Sequence, residues 1–444
     1  MKKLLLFFSL LGFFQVKAQY RIEINMQAPK DSVYYLYHWY QSEKLYLVLD
    51  TAKVDIANTI IFAGKKDLQE GMFFVVNKKK RLFDFPLVTQ NLKISTDTSD
   101  FVGKMTVEGN TETSEYLTFV KENIRLQQIF QKSANEDEKK AIYQQYQSLS
   151  KNYVLSHKNT FTGHLLKANQ PVEMATLKPN STKKDSTDYV KNFYAHALDN
   201  IELSDDRLLR TTLLDYIFDD YLKNIAFSNS PDEIIALVEN LIARTKSKSE
   251  LRKYIIIKFG NKFISPEVLG YDKVYTEIAK KYIVGEPENY ELNTVKKNIE
   301  YVNRIEPTLI GKTLPDMCLT DTLGNWNTLW DLEAKYTMVV IYDYACGHCQ
   351  EFTKKLVDYY PKLEKKGVKV YMCCKVPDRE NWLKFLKTYK TEAFINVMDS
   401  HRIVDFDNTY NASLVPKVFL LDQKKKIISN LRFELPDFER MMKE

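Results

Sequence analysis

From Tyr20 to Met26 apolar and polar residues alternate one by one, the period of a half-buried β-strand. Similar short runs follow at Val33 to Trp39, Leu45 to Leu49, Thr59 to Phe62, Met72 to Val76, Phe83 to Val88 and Leu92 to Ser95, with Gly64, Gly71 and Gly103 as punctuation. This spacing predicts a β-rich domain over 19–110, a small antiparallel sandwich or barrel. The aromatic group Tyr34, Tyr35, Tyr37, Trp39 and Tyr40 reads as strand aromatics packing on one another, with a binding surface as the alternative.

The period then changes. Tyr116, Phe119, Val120, Ile124 and Ile129 recur at helical spacing, as do Ile142, Tyr146, Leu149 and Tyr153. Ser230-Pro231-Asp232-Glu233 is a capping box with Pro at the first helical position. Further helices are predicted over Tyr189–Leu198, Asp206–Asn224, Lys248–Phe259, Pro266–Val284 and Leu292–Val302, and Pro179 to Asp188 reads as a loop. The region 111–306 is thus a helical domain, without a fixed-period repeat or a catalytic constellation.

A third pattern occupies 307–444. Cys318 and its neighbours, the turn Asp321-Thr322-Leu323-Gly324-Asn325 and Trp326 to Leu329 suggest a hairpin. Thr337 to Tyr342 is a continuous apolar run, as in a strand covered on both faces. Amphipathic Gln350–Leu363, strand-like Val368–Cys374, helical Glu380–Thr388 and strand-like Ile395–Met398, Val415–Leu421 and Lys426–Ser429 follow, before a short helix from Pro436. Strands alternating with helices predict an α/β sheet. The fold class is multidomain: a β-rich domain, a helical domain and a C-terminal α/β domain.

The 444 residues suffice for about three domains. With only 13 Gly and 13 Pro the chain is neither collagen-like nor Pro/Gly-rich and disordered. Met1-Lys2-Lys3, the apolar run Leu4 to Phe14 and Val16-Lys17-Ala18 read as a secretory signal over 1–18, cleaved before Gln19, with an uncleaved anchor as the alternative. Its three lysines account for half of the net charge of +6, leaving too little for a nucleic-acid footprint. The expectation is a periplasmic protein with no transmembrane helix after cleavage, in a compartment that permits disulfides.

Cys346-Gly347-His348-Cys349 follows the buried strand and opens a helix. On its own a Cys-x-x-Cys is half a zinc site, a structural disulfide or a redox pair. Zinc needs about four ligands, and Cys318, Cys373 and Cys374 form no second pair, so no metal is expected. The redox reading has a physical basis. The first turn of a helix carries partial positive charge and stabilises a thiolate. Cys346 would attack a client disulfide, and Cys349, one turn later on the same face and more buried, would resolve the adduct. Gly347 gives backbone freedom at the turn, and His348 adds a sometimes positive group beside the nucleophile. Cys373 and Cys374 read as small core hydrophobes.

Taken with Leu414-Val415-Pro416-Lys417-Val418-Phe419, the strand, motif and helix resemble a thioredoxin fold. The approach Gly311-Lys312-Thr313-Leu314-Pro315-Asp316 is similar to the entry hairpin of the TlpA/ResA-like branch of periplasmic thiol-disulfide oxidoreductases. The resemblance covers about 307–436. It implies a cis Val415–Pro416 bond facing the cysteines and a place for an extended client peptide at Val415 and Pro416. The family's two acid positions are taken by Val340 and Phe352, leaving Asp343 and Glu351 as candidate acids. It further implies an enzyme without cofactor that exchanges disulfides with client proteins as a reductase, supplied by a membrane electron donor or acceptor for thiols, with an oxidising or isomerising role, encouraged by His348, as the variant reading. The alternative is a cell-envelope binding or scaffold protein acting through its N-terminal domains, the C-terminal domain being dispensable.

Overall fold

The computed structural model describes residues 18–27, 32–173, 176–178, 180–264 and 268–442. The leader expected over 1–18 falls outside them except for its last residue. Among the described residues no helix is long and apolar enough to cross a membrane. The chain divides into two compact units, one running to Ser228 and including Arg244–Leu251, the other comprising Asn229–Ala243 and Arg252–Glu444.

The first unit begins with strands β1 (Tyr20–Asn25), β2 (Val33–Tyr40), β3 (Ser42–Lys53), β4 (Thr59–Gly64), β5 (Gly71–Asn77), β6 (Lys80–Leu87), β7 (Asn91–Ser95) and β8 (Thr106–Glu108). They form two four-stranded sheets, β4-β1-β7-β8 and β3-β2-β5-β6. The period-two alternation works as expected: Ile22 and Ile24 of one sheet and Leu36, Phe73 and Val75 of the other share one apolar core. The expectation of a purely antiparallel arrangement needs correcting, because β1 and β7 run parallel. The long stretch of chain between them makes such a crossover feasible. At three residues β8 is too short for periodicity to reveal. Trp39 is buried, its ring stacked 4.3 Å from Phe74 and capped by the Arg81 guanidinium at 4.7 Å, so this part of the aromatic group is packing.

Helices Thr111–Lys132, Glu136–Ser156, Phe161–Ala168, Lys183–His196 and Leu213–Ser228 follow in this unit, with a 3-10 turn over Asp206–Arg210 just before the last. The side chains of Asn110, Asn135 and Thr160 accept the first free N–H groups of the first three. The loop expected over Pro179 to Asp188 is a second correction. Thr182 and Asp185 form a reciprocal capping box, and the helix starts at Lys183 despite its polar composition.

In the second unit, the Ser230 hydroxyl and Glu233 carboxylate cap Pro231–Ala243 as expected. The helix foreseen from Pro266 begins at Asp272 and runs to Ala279, with a π turn over Lys280–Val284; residues 265–267 lie outside the described ones. Helix Leu292–Ile305 leads into a seven-stranded sheet. Its strands are β9 (Cys318–Asp321), β10 (Trp326–Thr328), β11 (Tyr336–Tyr342), β12 (Val368–Cys374), β13 (Ile395–Met398), β14 (Lys417–Asp422) and β15 (Ile427–Ser429), in the order β10-β9-β13-β12-β11-β14-β15. Every residue of β11 is buried, parallel to β12 on one side and antiparallel to β14 on the other. Met338, Val340 and Tyr342 point to a face covered by helices Gly347–Lys365, Arg379–Tyr389 and Leu435–Met441. Val339 and Ile341 point to the opposite face, with Leu314, Met317, Phe406 and Tyr410. The α/β expectation for this part of the chain holds.

Leu356, with no exposed surface, joins helix Gly347–Lys365 to the first of these faces. Leu356→Ala should lower the unfolding free energy by about 2–5 kcal/mol in urea titrations of the full chain. A change below about 1 kcal/mol would mean that this helix is not seated as described.

Candidate active site

Strand β11 ends at Tyr342, and the chain turns through Asp343, Tyr344 and Ala345. The Asp343 carboxylate accepts from the Ala345 N–H at 2.8 Å, and its carbonyl accepts from the Cys346 N–H at 3.2 Å. This short turn sets Cys346 at the cap of helix Gly347–Lys365 in an extended conformation (φ −77°, ψ 117°), its carbonyl already accepting the Gln350 N–H at 3.0 Å. Gln350 ties the turn down by donating from its side chain to the Tyr344 carbonyl at 3.0 Å.

Cys346 is half-buried, and its thiol donates to the carbonyl of Val415 at 3.6 Å. The Val415–Pro416 bond is cis. The predicted residues Cys346, Val415 and Pro416 are therefore together, although the segment after Pro416 forms a different strand. Cys349 is fully buried one turn into the helix, in the apolar cluster with Tyr342, Phe352 and Cys374. Burial pushes its thiol well up; the Asp343 backbone opposes that, and neighbouring Cys346 adds to it. Both cysteines are free thiols. At Gly347 a Cβ would meet nothing within 4 Å, so no packing there demands glycine.

His348 is exposed and borders a cavity of about 440 Å³ that also takes in Glu351, Lys355, Arg432, Phe433 and Glu434. Of the two candidate acids, Glu351 lies on the surface in an ion pair with Lys355 at 3.0 Å, and that lysine holds its carboxyl below the usual range. Asp343 is half-buried, and its charge raises the thiols of both Cys349 and Cys374. Val340 and Phe352 are buried in the apolar cluster.

Cys373 and Cys374 are fully buried on opposite faces of β12, and burial pushes both thiols up, Cys374 to about 12. Among the described residues no group of three or more His, Cys, Asp or Glu could hold a metal ion. Two features escaped sequence reasoning. Trp382 donates from its indole N–H to the Tyr342 hydroxyl at 2.9 Å in the cluster that holds Cys349, and Arg432 and Phe433 form the far wall of the cavity. Only the strand register, which sets Tyr342 opposite Cys374, would have hinted at the first. Nothing local marks the second.

Residues 310–430 match the AhpC/TSA family, and residues 20–116 match a domain of unknown function, DUF4369. The chain is 26% identical over 127 residues to a thiol-disulfide oxidoreductase ResA of Bacillus cereus, covering 28% of this chain and 71% of that protein. Among solved structures, a domain of a "possible thiol-disulfide isomerase" from Cytophaga hutchinsonii is 38% identical, covering 30% of this chain and 89% of its own, at a TM-score of 0.28. A thioredoxin-like protein from Bacteroides caccae shares the fold at a TM-score of 0.51 and 16% identity, covering 62% of this chain and 98% of its own.

The exposure pattern predicts an order of alkylation. Limiting iodoacetamide on the reduced, native chain should label the half-buried Cys346 and Cys318, and should label the buried Cys349, Cys373 and Cys374 only after denaturation. Peptide mass spectrometry reads this directly, and equal labelling of all sites would contradict the geometry.

Proposed function

We propose, for a chain whose C-terminal domain belongs to the thioredoxin-like thiol-disulfide oxidoreductases, that Cys346 and Cys349 exchange disulfides with client proteins in the periplasm, working as a reductase. The observation that carries this reading is the unequal placement of the two thiols, one half-buried at a helix start and the other sealed beneath it.

The Cys346 thiolate attacks one sulfur of a client disulfide. The client S–S bond breaks, the second client sulfur leaves and takes up a proton, and a mixed disulfide forms. Cys349 then gives up its proton and attacks the Cys346 sulfur, which releases the first client thiol. The client has gained two electrons and two protons, and the domain holds a Cys346–Cys349 disulfide. A membrane-borne dithiol donor would return it to the reduced state. Burial keeps Cys349 protonated until the adduct forms. Asp343 is the acid we assign to accept its proton, because its charge already acts on that thiol whereas Glu351 is engaged by Lys355. The extended client would pair with the backbone at Val415, since Pro416 has no N–H to offer. His348 and the adjoining cavity would border the bound client.

Cys349→Ser should trap client proteins covalently through Cys346, seen as adducts that a reductant dissolves, and Cys346→Ser should trap none. Absence of adducts from Cys349→Ser would overturn the proposal. The reducing direction calls for a midpoint potential near about −270 mV, whereas a value around −120 to −180 mV would mark an oxidant or isomerase.

A further inference from the structure

The strand that follows Pro416 begins with a half-buried lysine. The Lys417 ammonium donates to the Asn430 carbonyl at 2.8 Å and lies 5.0 Å from the centre of the Phe419 ring. Asn430 is itself buried. Its side-chain amide donates to the Asp272 carboxylate at 2.6 Å and to the Thr308 carbonyl at 2.9 Å, while its side-chain oxygen is buried without a partner. Asp272 is buried at the first position of helix Asp272–Ala279, well before the segment 310–430 that matches the redox family.

We propose that Asp272, Asn430 and Lys417 form a positioning relay that fixes the client-binding backbone at Val415 and Pro416 from the preceding helical segment, a role that rests on the exchange reading above. A buried ammonium is costly unless it is paired, so Lys417 holds its place only where the Asn430 carbonyl meets it. Asn430 in turn stays where Asp272 and Thr308 hold its amide. Lys417 follows Pro416 directly, and the Val415 carbonyl just before it meets the Cys346 thiol. A shift at the start of β14 therefore moves the surface that a client must pair with, while the two cysteines on their own helix stay in place. The electrostatics agree with tight enclosure: burial draws the Lys417 ammonium down to about 8 against the pull of Asp272, and raises the Asp272 carboxyl.

The test compares two oxidised substrates on the full chain: insulin, which must lie along the backbone, and a small aromatic disulfide, which need only reach Cys346. Asp272→Asn and Lys417→Met should each raise KM for insulin by about threefold to thirtyfold. The small-disulfide rate should stay within about twofold, below that range. The double variant should be no worse than the more impaired single one, because both act through Asn430. Equal slowing of both substrates would reduce the network to general stability, and an unchanged insulin KM in a cooperatively melting variant would overturn the relay. If Asp272→Asn does not melt cooperatively, Lys417→Met decides, since it keeps the volume and removes a buried charge. Wild-type chain inert towards the small disulfide as well would instead defeat the exchange reading.

Discussion

The redox domain depends on how one buried strand stops. Strand β11 is hydrogen-bonded on both edges and covered on both faces, so its last residue has little freedom. A three-residue turn stitched by Asp343 then delivers Cys346 to the cap of a helix, where backbone N–H groups point outward. The helical repeat does the rest. A residue three positions later lies on the same face one turn deeper, and in this domain that depth is the apolar cluster under the sheet. Two chemically identical side chains thus acquire different environments from geometry alone, one half-buried at the helix start and the other fully buried beneath it.

The third element, the backbone at Val415, comes from another part of the chain. Strand β14 brings it in, and the Lys417–Asn430–Asp272 contacts hold the strand's first residue to a helix outside the redox family match. The contact between Cys346 and Val415 accordingly rests on a framework that reaches beyond the segment 310–430.

Much of this was readable from the chain. Alternation located seven of the eight N-terminal strands because each has one face in a core, whereas β8 is too short to show a period. The uniform apolar run at Thr337 to Tyr342 told correctly of a strand covered on both sides. Thr182 was hidden by composition: a polar stretch looks like a loop until its reciprocal cap is formed. The motif at Cys346 and Cys349 was legible because its spacing is local, and Pro416 because a resemblance supplied its partner. Asp272, Asn430 and Arg432 were not, since their meaning arises only when residues far apart in sequence meet.

The central claim is that Cys346 and Cys349 form one two-electron couple. Equilibrating the full chain in graded thiol–disulfide buffers, quenching with acid and mapping the bonds by mass spectrometry tests it most directly. The account predicts a single transition with a two-electron slope, in which a Cys346–Cys349 bond forms while Cys318, Cys373 and Cys374 remain free thiols. A transition that pairs either cysteine with one of the other three, or no bond between the two across the buffer range, would contradict it.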